Sequence, residues 1–177
     1  EKQLLEIIDV VNQVTDKVKI EIDQANNQAK LLAYLSLERR PILVGAEFLE
    51  GALHTACNQF NENAKIYADY KIIPEINHHL LEGLNFPKSN SLNHFFIFFQ
   101  SQLYHPRNQK RIELTQKLLE KKDIDSIMVN LESDNKITQV FELITLITFA
   151  NLYLAFLEKI NPCPIPSVDW FKEQLKK

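Results

Sequence analysis

The sequence predicts an all-α fold, a helical bundle of about six to eight helices led by a long heptad-patterned N-terminal helix. Three observations point there. Apolar and small residues recur every seven positions through residues 1–40. Only three glycines occur, Gly45, Gly51 and Gly83. No stretch alternates apolar with polar residues between turn signals, as a half-buried strand does. An α/β nucleotide-binding enzyme or a β-sandwich needs left-handed turns and close backbone approach, and three glycines count against both. The expected organisation is one compact domain in two parts, residues 1–40 as an amphipathic helix and residues 41–177 as the bundle core.

The first helix rests on a 4-3 repeat. Leu4, Val11, Val18, Ala25 and Leu32 are spaced by seven, and Ile8, Thr15, Ile22, Ala29 and Ser36 follow each by four. Leu4, Ile8, Val11, Val18, Ile22 and Leu32 form the expected interaction seam of a coiled coil or long bundle helix. Arg40 precedes Pro41, a helix boundary. Pro41 then starts a second helix over Ile42 to Tyr70. Pro74 opens a short third helix that ends near Gly83 or Asn85, residues that accept a left-handed cap. Asn90 or Ser91 caps a fourth helix through Tyr104. Pro106 starts a fifth, to Lys122, and Asp123 caps a short sixth. Residues 137–158 are the most apolar segment and read as the central bundle helix. Its charge-free run, Leu143 to Leu157, is shorter than the roughly 20 apolar residues a membrane span needs. The run NPCPIP stops that helix, and SVDWFKEQLKK forms an amphipathic tail helix behind Ser167.

Composition narrows function. The net charge of −3 and pI near 6.0, with basic residues scattered, argue against a nucleic-acid binder. There is neither a GxGxxG nor a GxxxxGK[ST] stretch to cradle phosphate. Cys57 and Cys163 make no CxxC pair and read as thiols of a reducing compartment, the cytoplasm. The chain begins at Glu1 without a methionine, so an excerpt or a processed form is expected.

Three constellations carry what chemistry there is. Glu75, His78 and Glu82 are spaced three and seven apart, and Glu47, Glu50 and His54 repeat that spacing. Together they match the ligand types of a di-metal carboxylate bundle. However, both sets lie opposite their helices' apolar stripes, whereas such sites point inward from four helices. No metal or other cofactor is therefore expected. Phe95, Phe96, Phe98 and Phe99 sit on an almost wholly apolar helix and could wall a cavity for a lipid or other apolar ligand. Ser101, near His94 and His105, lies mid-helix rather than on the strained turn a serine nucleophile uses.

With no catalytic set, the expected function is a non-enzymatic helical adaptor, scaffold or regulatory subunit. It would bind a protein partner, or a second copy, through the amphipathic first helix. Its rivals are an apolar-ligand bundle built on the phenylalanines and a carboxylate–histidine di-metal oxidoreductase.

Overall fold

Segments read largely as helix in the sequence are strands. The computed structural model describes residues 1–176 and shows β1 (Arg40–Ala46), β2 (Asp69–Ile73), β3 (His94–Ser101) and β4 (Ser126–Leu131). They form one parallel sheet in the order β2-β1-β3-β4. The fold is therefore α/β, and the all-α expectation is overturned. The reason is burial. Every residue of β1 except Arg40 is buried, as is every residue of β3 except His94. A central parallel strand covered on both faces is apolar at successive positions, so the period-two signal disappears. The expected helix from Ile42 to Tyr70 resolves into β1, a helix and β2, and the one ending at Tyr104 is largely β3.

Scarce glycine misled for a related reason. Among the described residues the left-handed backbone positions are Glu38, Glu47, Lys65, Asp123 and Lys159, with φ between 52° and 57°, and no glycine has positive φ. Asp123 turns the chain into β4 instead of capping a sixth helix. Helical crossovers join the parallel strands, so few tight turns are needed.

Among the described residues eight α-helices accompany the sheet: α1 (Lys2–Val18), α2 (Gln28–Ser36), α3 (Glu50–Glu62), α4 (Leu80–Gly83), α5 (Asn90–Asn93), α6 (Pro106–Glu120), α7 (Lys136–Leu157) and α8 (Pro166–Gln174). The heptad pattern crosses a break. Asn27, buried, donates from Nδ2 to the carbonyls of Val18 (2.8 Å) and Lys19 (3.1 Å), closing the end of α1. Its Oδ1 accepts from Lys30 N–H (3.0 Å) and caps α2. Of the expected seam, Val18 and Leu32 are buried, Val11 and Ile22 half-buried, and Leu4 and Ile8 exposed. It is not a continuous coiled-coil stripe.

The sheet is covered on both faces. The α3 and α6 crossovers leave the sheet centre in opposite directions, and right-handed connections then place them on opposite sides. Helix α7 packs with α1, α2 and α3, while α6 meets β2, β3 and β4. Among the described residues α7 alone is long and apolar enough to cross a membrane, but Leu143, Leu146, Ile147, Ala150 and Leu154 bury it in this core. Phe95, Phe96, Phe98 and Phe99 lie on β3, each no more than 1% exposed, and are core residues.

Candidate functional site

The carboxyl ends of the strands open on one edge, and an open α/β sheet seats its ligand where strand order reverses. Here that point lies between β1 and β3. In this chain the position is filled from within. Tyr104, from the loop after β3, reaches under the end of β1: its hydroxyl accepts from Ala46 N–H (3.1 Å) and donates to the Phe99 carbonyl (3.3 Å). Burial holds that phenol protonated, well above the ordinary tyrosine range. Gly45 makes room for it. A Cβ there would stand 2.9 Å from Leu53 Cδ1 and 3.1 Å from the Tyr104 hydroxyl. Phe48 packs on the Tyr104 ring at 5.5 Å between centroids, and Lys136 Nζ lies 5.5 Å from the Phe48 ring centre.

Above this plug, Glu47 bridges the two strand ends. Its Oε1 accepts from the backbone N–H of His105 (2.8 Å) and from Asn108 Nδ2 (2.9 Å). Both donors belong to the start of α6, where the helix dipole favours a negative charge. A carboxylate of the chain itself therefore occupies this helix start. His105 completes the cap, with Nδ1 accepting from Arg107 N–H (3.2 Å).

The neighbouring loops are fixed as firmly. Ser101 Oγ donates to Gln139 Oε1 (2.6 Å) and accepts from Leu103 N–H (2.9 Å). Gln139 Nε2 then holds the Ser133 carbonyl (2.8 Å), and Glu142 accepts from the N–H groups of Glu132 and Ser133. Ser101 is thus a strand-end tether, engaged as both donor and acceptor.

The acid–base groups of this edge lie outside the plug. Glu47, Glu75, His78, Glu82 and His105 are all exposed. Glu75 hydrogen-bonds His79 rather than His78, and residues 75–77 form a 3₁₀ turn separate from α4, so Glu75, His78 and Glu82 do not share one continuous helix face. His54, on α3, stacks on Tyr70 (5.2 Å), and Glu50 is exposed at the start of α3. Among the described residues no three His, Cys, Asp or Glu side chains gather as metal ligands would. Tyr104, Asn108 and Gln139 were missed in the sequence. Gly45 at the end of an apolar run, followed by Glu47, is the one local signal that could have found the plugged edge.

Beside the edge, α1 and the loop after β4 enclose an acidic cleft of about 520 Å³ lined by Glu6, Asp9, Glu132, Asp134 and Glu142 with Lys17.

Comparisons with known proteins agree with this architecture. A protein of Aquifex aeolicus named bifunctional phosphoglucose/phosphomannose isomerase is 29% identical over 119 residues, which is 67% of this chain and 37% of that protein. One of Caldicellulosiruptor bescii with the same name is 26% identical over 179 residues, 98% of this chain and 51% of the relative. The chain thus spans about half the length of such relatives, or less. A glucose-6-phosphate isomerase-like protein from Thermus thermophilus superposes with a TM-score of 0.78 at 21% identity, covering 92% of this chain and 54% of that one. These matches overturn the expectation of a non-enzymatic, coiled-coil adaptor: the relatives are named as enzymes, and the seam that suggested an adaptor is broken at Asn27. Residues 25–175 match the family described as the bacterial phospho-glucose isomerase C-terminal SIS domain, and the chain belongs to that family.

Proposed function

We propose that this domain serves the aldose–ketose isomerisation of a sugar phosphate of the glucose and mannose series, working in the cytoplasm. The observation that carries the reading is the family match over residues 25–175, together with relatives named phosphoglucose/phosphomannose isomerases. Such a reaction moves a proton between adjacent carbons and needs a carboxylate or imidazole close to the substrate. It also needs a seat for the phosphate. The start of α6 is taken by Glu47, and the space beneath it at the strand ends by Tyr104. The domain accordingly contributes exposed acid–base side chains to a site whose phosphate anchor lies elsewhere, in the half of the relatives that this chain does not cover.

The test is conversion of glucose 6-phosphate and mannose 6-phosphate to fructose 6-phosphate. It is run with the purified chain alone and with the unmatched half of the Caldicellulosiruptor relative added. Fructose 6-phosphate from the mixture and little from the chain alone is the expected result. Full activity of the isolated chain would refute the divided site. No product in either case, with no response of the chain's amide NMR spectrum to sugar phosphates, would refute the isomerase reading.

A further inference from the structure

The outer edge of β4 is unguarded. In the order β2-β1-β3-β4 this strand ends one side of the sheet. Phe96 N–H donates to the Asp125 carbonyl (3.0 Å), and Phe96 stands in register with Ser126. Successive residues of a strand turn their N–H and C=O groups to opposite sides. Ile127, Val129 and Leu131 therefore bond to β3, while Ser126, Met128 and Asn130 turn their backbone groups outward. Among the described residues no hydrogen bond engages those outward groups. Exposed sheet edges are ordinarily protected by charge or proline. The opposite edge, β2, carries the Asp69–Lys71 ion pair. The β4 sequence SIMVNL has neither a charged residue nor a proline.

Beside this edge lies a groove. Met128, Val129 and Asn130 line a space of about 320 Å³ together with Val14 and Val18 of α1 and Leu146 of α7. It runs on into the acidic cleft, with which it shares Val14, Lys17, Glu132 and Glu142. Among the described residues Lys17 is the one cation lining either space, and Glu132 already holds its ammonium (3.1 Å). Asp9 and Asp134 have no ion-pair partner among the described residues. The groove thus joins unpaired backbone, an apolar wall and uncompensated negative charge.

We propose that the β4 edge is a strand-docking site for another protein. An extended segment alternating apolar and basic residues adds to the sheet as a fifth strand, its backbone bonding to Ser126, Met128 and Asn130. Its apolar side chains meet Val14, Val18 and Leu146, and its lysines or arginines meet the carboxylates of the cleft. A second copy of this chain is the poorer occupant, because pairing β4 with β4 brings the same acidic rim against itself. The site does not depend on the isomerase reading.

Amide hydrogen exchange of the chain tests it, with a capped hexapeptide of alternating valine and lysine as the probe. The peptide should slow exchange at the Met128 and Asn130 N–H groups and leave that of Lys71, on β2, unchanged. Two variants change residues at the edge and rim. Asn130→Pro removes one outward donor without touching the β3 ladder, and E132K/D134K reverses exposed charges. Each should melt close to the parent, and each should weaken peptide binding by roughly threefold to tenfold. Should Asn130→Pro fail to fold, E132K/D134K still decides. No protection at Met128 and Asn130 overturns the proposal, as does equal binding of a valine–glutamate hexapeptide or an affinity indifferent to E132K/D134K. An edge already protected in the free chain, within a dimer that Asn130→Pro dissociates, makes the occupant a second copy and overturns it too.

Discussion

Replacing Asn27 should loosen the whole helical layer on one side of the sheet. Its side chain is 1% exposed and serves three backbone groups, the Val18 and Lys19 carbonyls and the Lys30 N–H. In Asn27→Ala the cap on α2 is lost, at about 1 kcal/mol. The two donations to the end of α1 go too, at about 1 kcal/mol each, less where Tyr153 still holds the Val18 carbonyl (2.6 Å). The sum is about 2–3 kcal/mol. For a domain of this size each kcal/mol moves Tm by about 2–4 °C, so a fall of roughly 4–12 °C is expected by calorimetry. Asn27→Asp separates the two roles. The carboxylate keeps the cap acceptor but turns an acceptor toward two carbonyls. Its folded pKa is therefore raised, and the stability of this variant is greatest below the unfolded carboxyl pKa and falls as pH rises through the folded value. At neutral pH Asn27→Asp should melt below Asn27→Ala. If Asn27→Ala melts within a degree of the parent, Asn27 is not what ends α1 and starts α2.

Four further outcomes follow from single positions. Asn151 is 1% exposed on α7 and neither amide atom has a protein partner among the described residues, so Asn151→Leu should stabilise by about 1–3 kcal/mol in urea titration; a loss of stability would refute the unpaired amide. Gly45→Ala drives a methyl into Leu53 and Tyr104 and should cost about 1–3 kcal/mol, and less when measured against a Tyr104→Phe parent; no cost would mean the Tyr104 plug yields freely. Glu47→Ala empties the start of α6, and inorganic phosphate should then raise the Tm of the variant but not of the parent; an equal response in both would show that Glu47 fills no anion seat. Burial holds the His94 imidazole below its ordinary pKa, and its buried Nδ1 has no hydrogen-bond partner among the described residues. With the folded value depressed, the unfolded chain binds more protons. Stability should therefore fall as pH drops through the ordinary imidazole range, and His94→Phe should flatten that slope; an unchanged slope would refute the assignment.

What was legible in the sequence was what local chemistry dictates. Pro106 at the first turn of α6 and the apolar length of α7 mark helices that the structure contains at nearly those bounds. The sheet was not legible, because burial on both faces makes PILVGA and FFIFFQS apolar without alternation, and periodicity alone does not separate such runs from a buried helix. The phenylalanines read as walls of a cavity because a helix apolar nearly all round would present them on several sides, whereas β3 sends neighbours to opposite faces of a covered sheet. The break at Asn27 was hidden by a heptad count blind to a side chain that caps two helices at once. At the site, Glu47 was visible as a carboxylate, but its partners His105 and Asn108 lie 58 and 61 positions away and meet it only through the β1–β3 pairing.

The plugged strand edge bears on how this domain would share in the isomerisation proposed for it. A sheet of this topology offers a crevice at its switch point as a consequence of strand order alone. Leaving that crevice open would expose the Ala46 N–H and the Phe99 carbonyl to water, and a buried tyrosine satisfies both. Once Tyr104 is in place, Gly45 has no room for a side chain, and Glu47, with its left-handed backbone at φ 52°, swings across to α6. These three residues are mutually dependent. Opening a ligand cavity here would mean removing the ring, breaking the Glu47 bridge and leaving buried backbone groups without partners. The same interlock keeps the rim rigid. The exposed carboxylates and imidazoles around it are then carried on loops that do not have to be ordered by substrate, which suits a surface that completes a site formed with another domain.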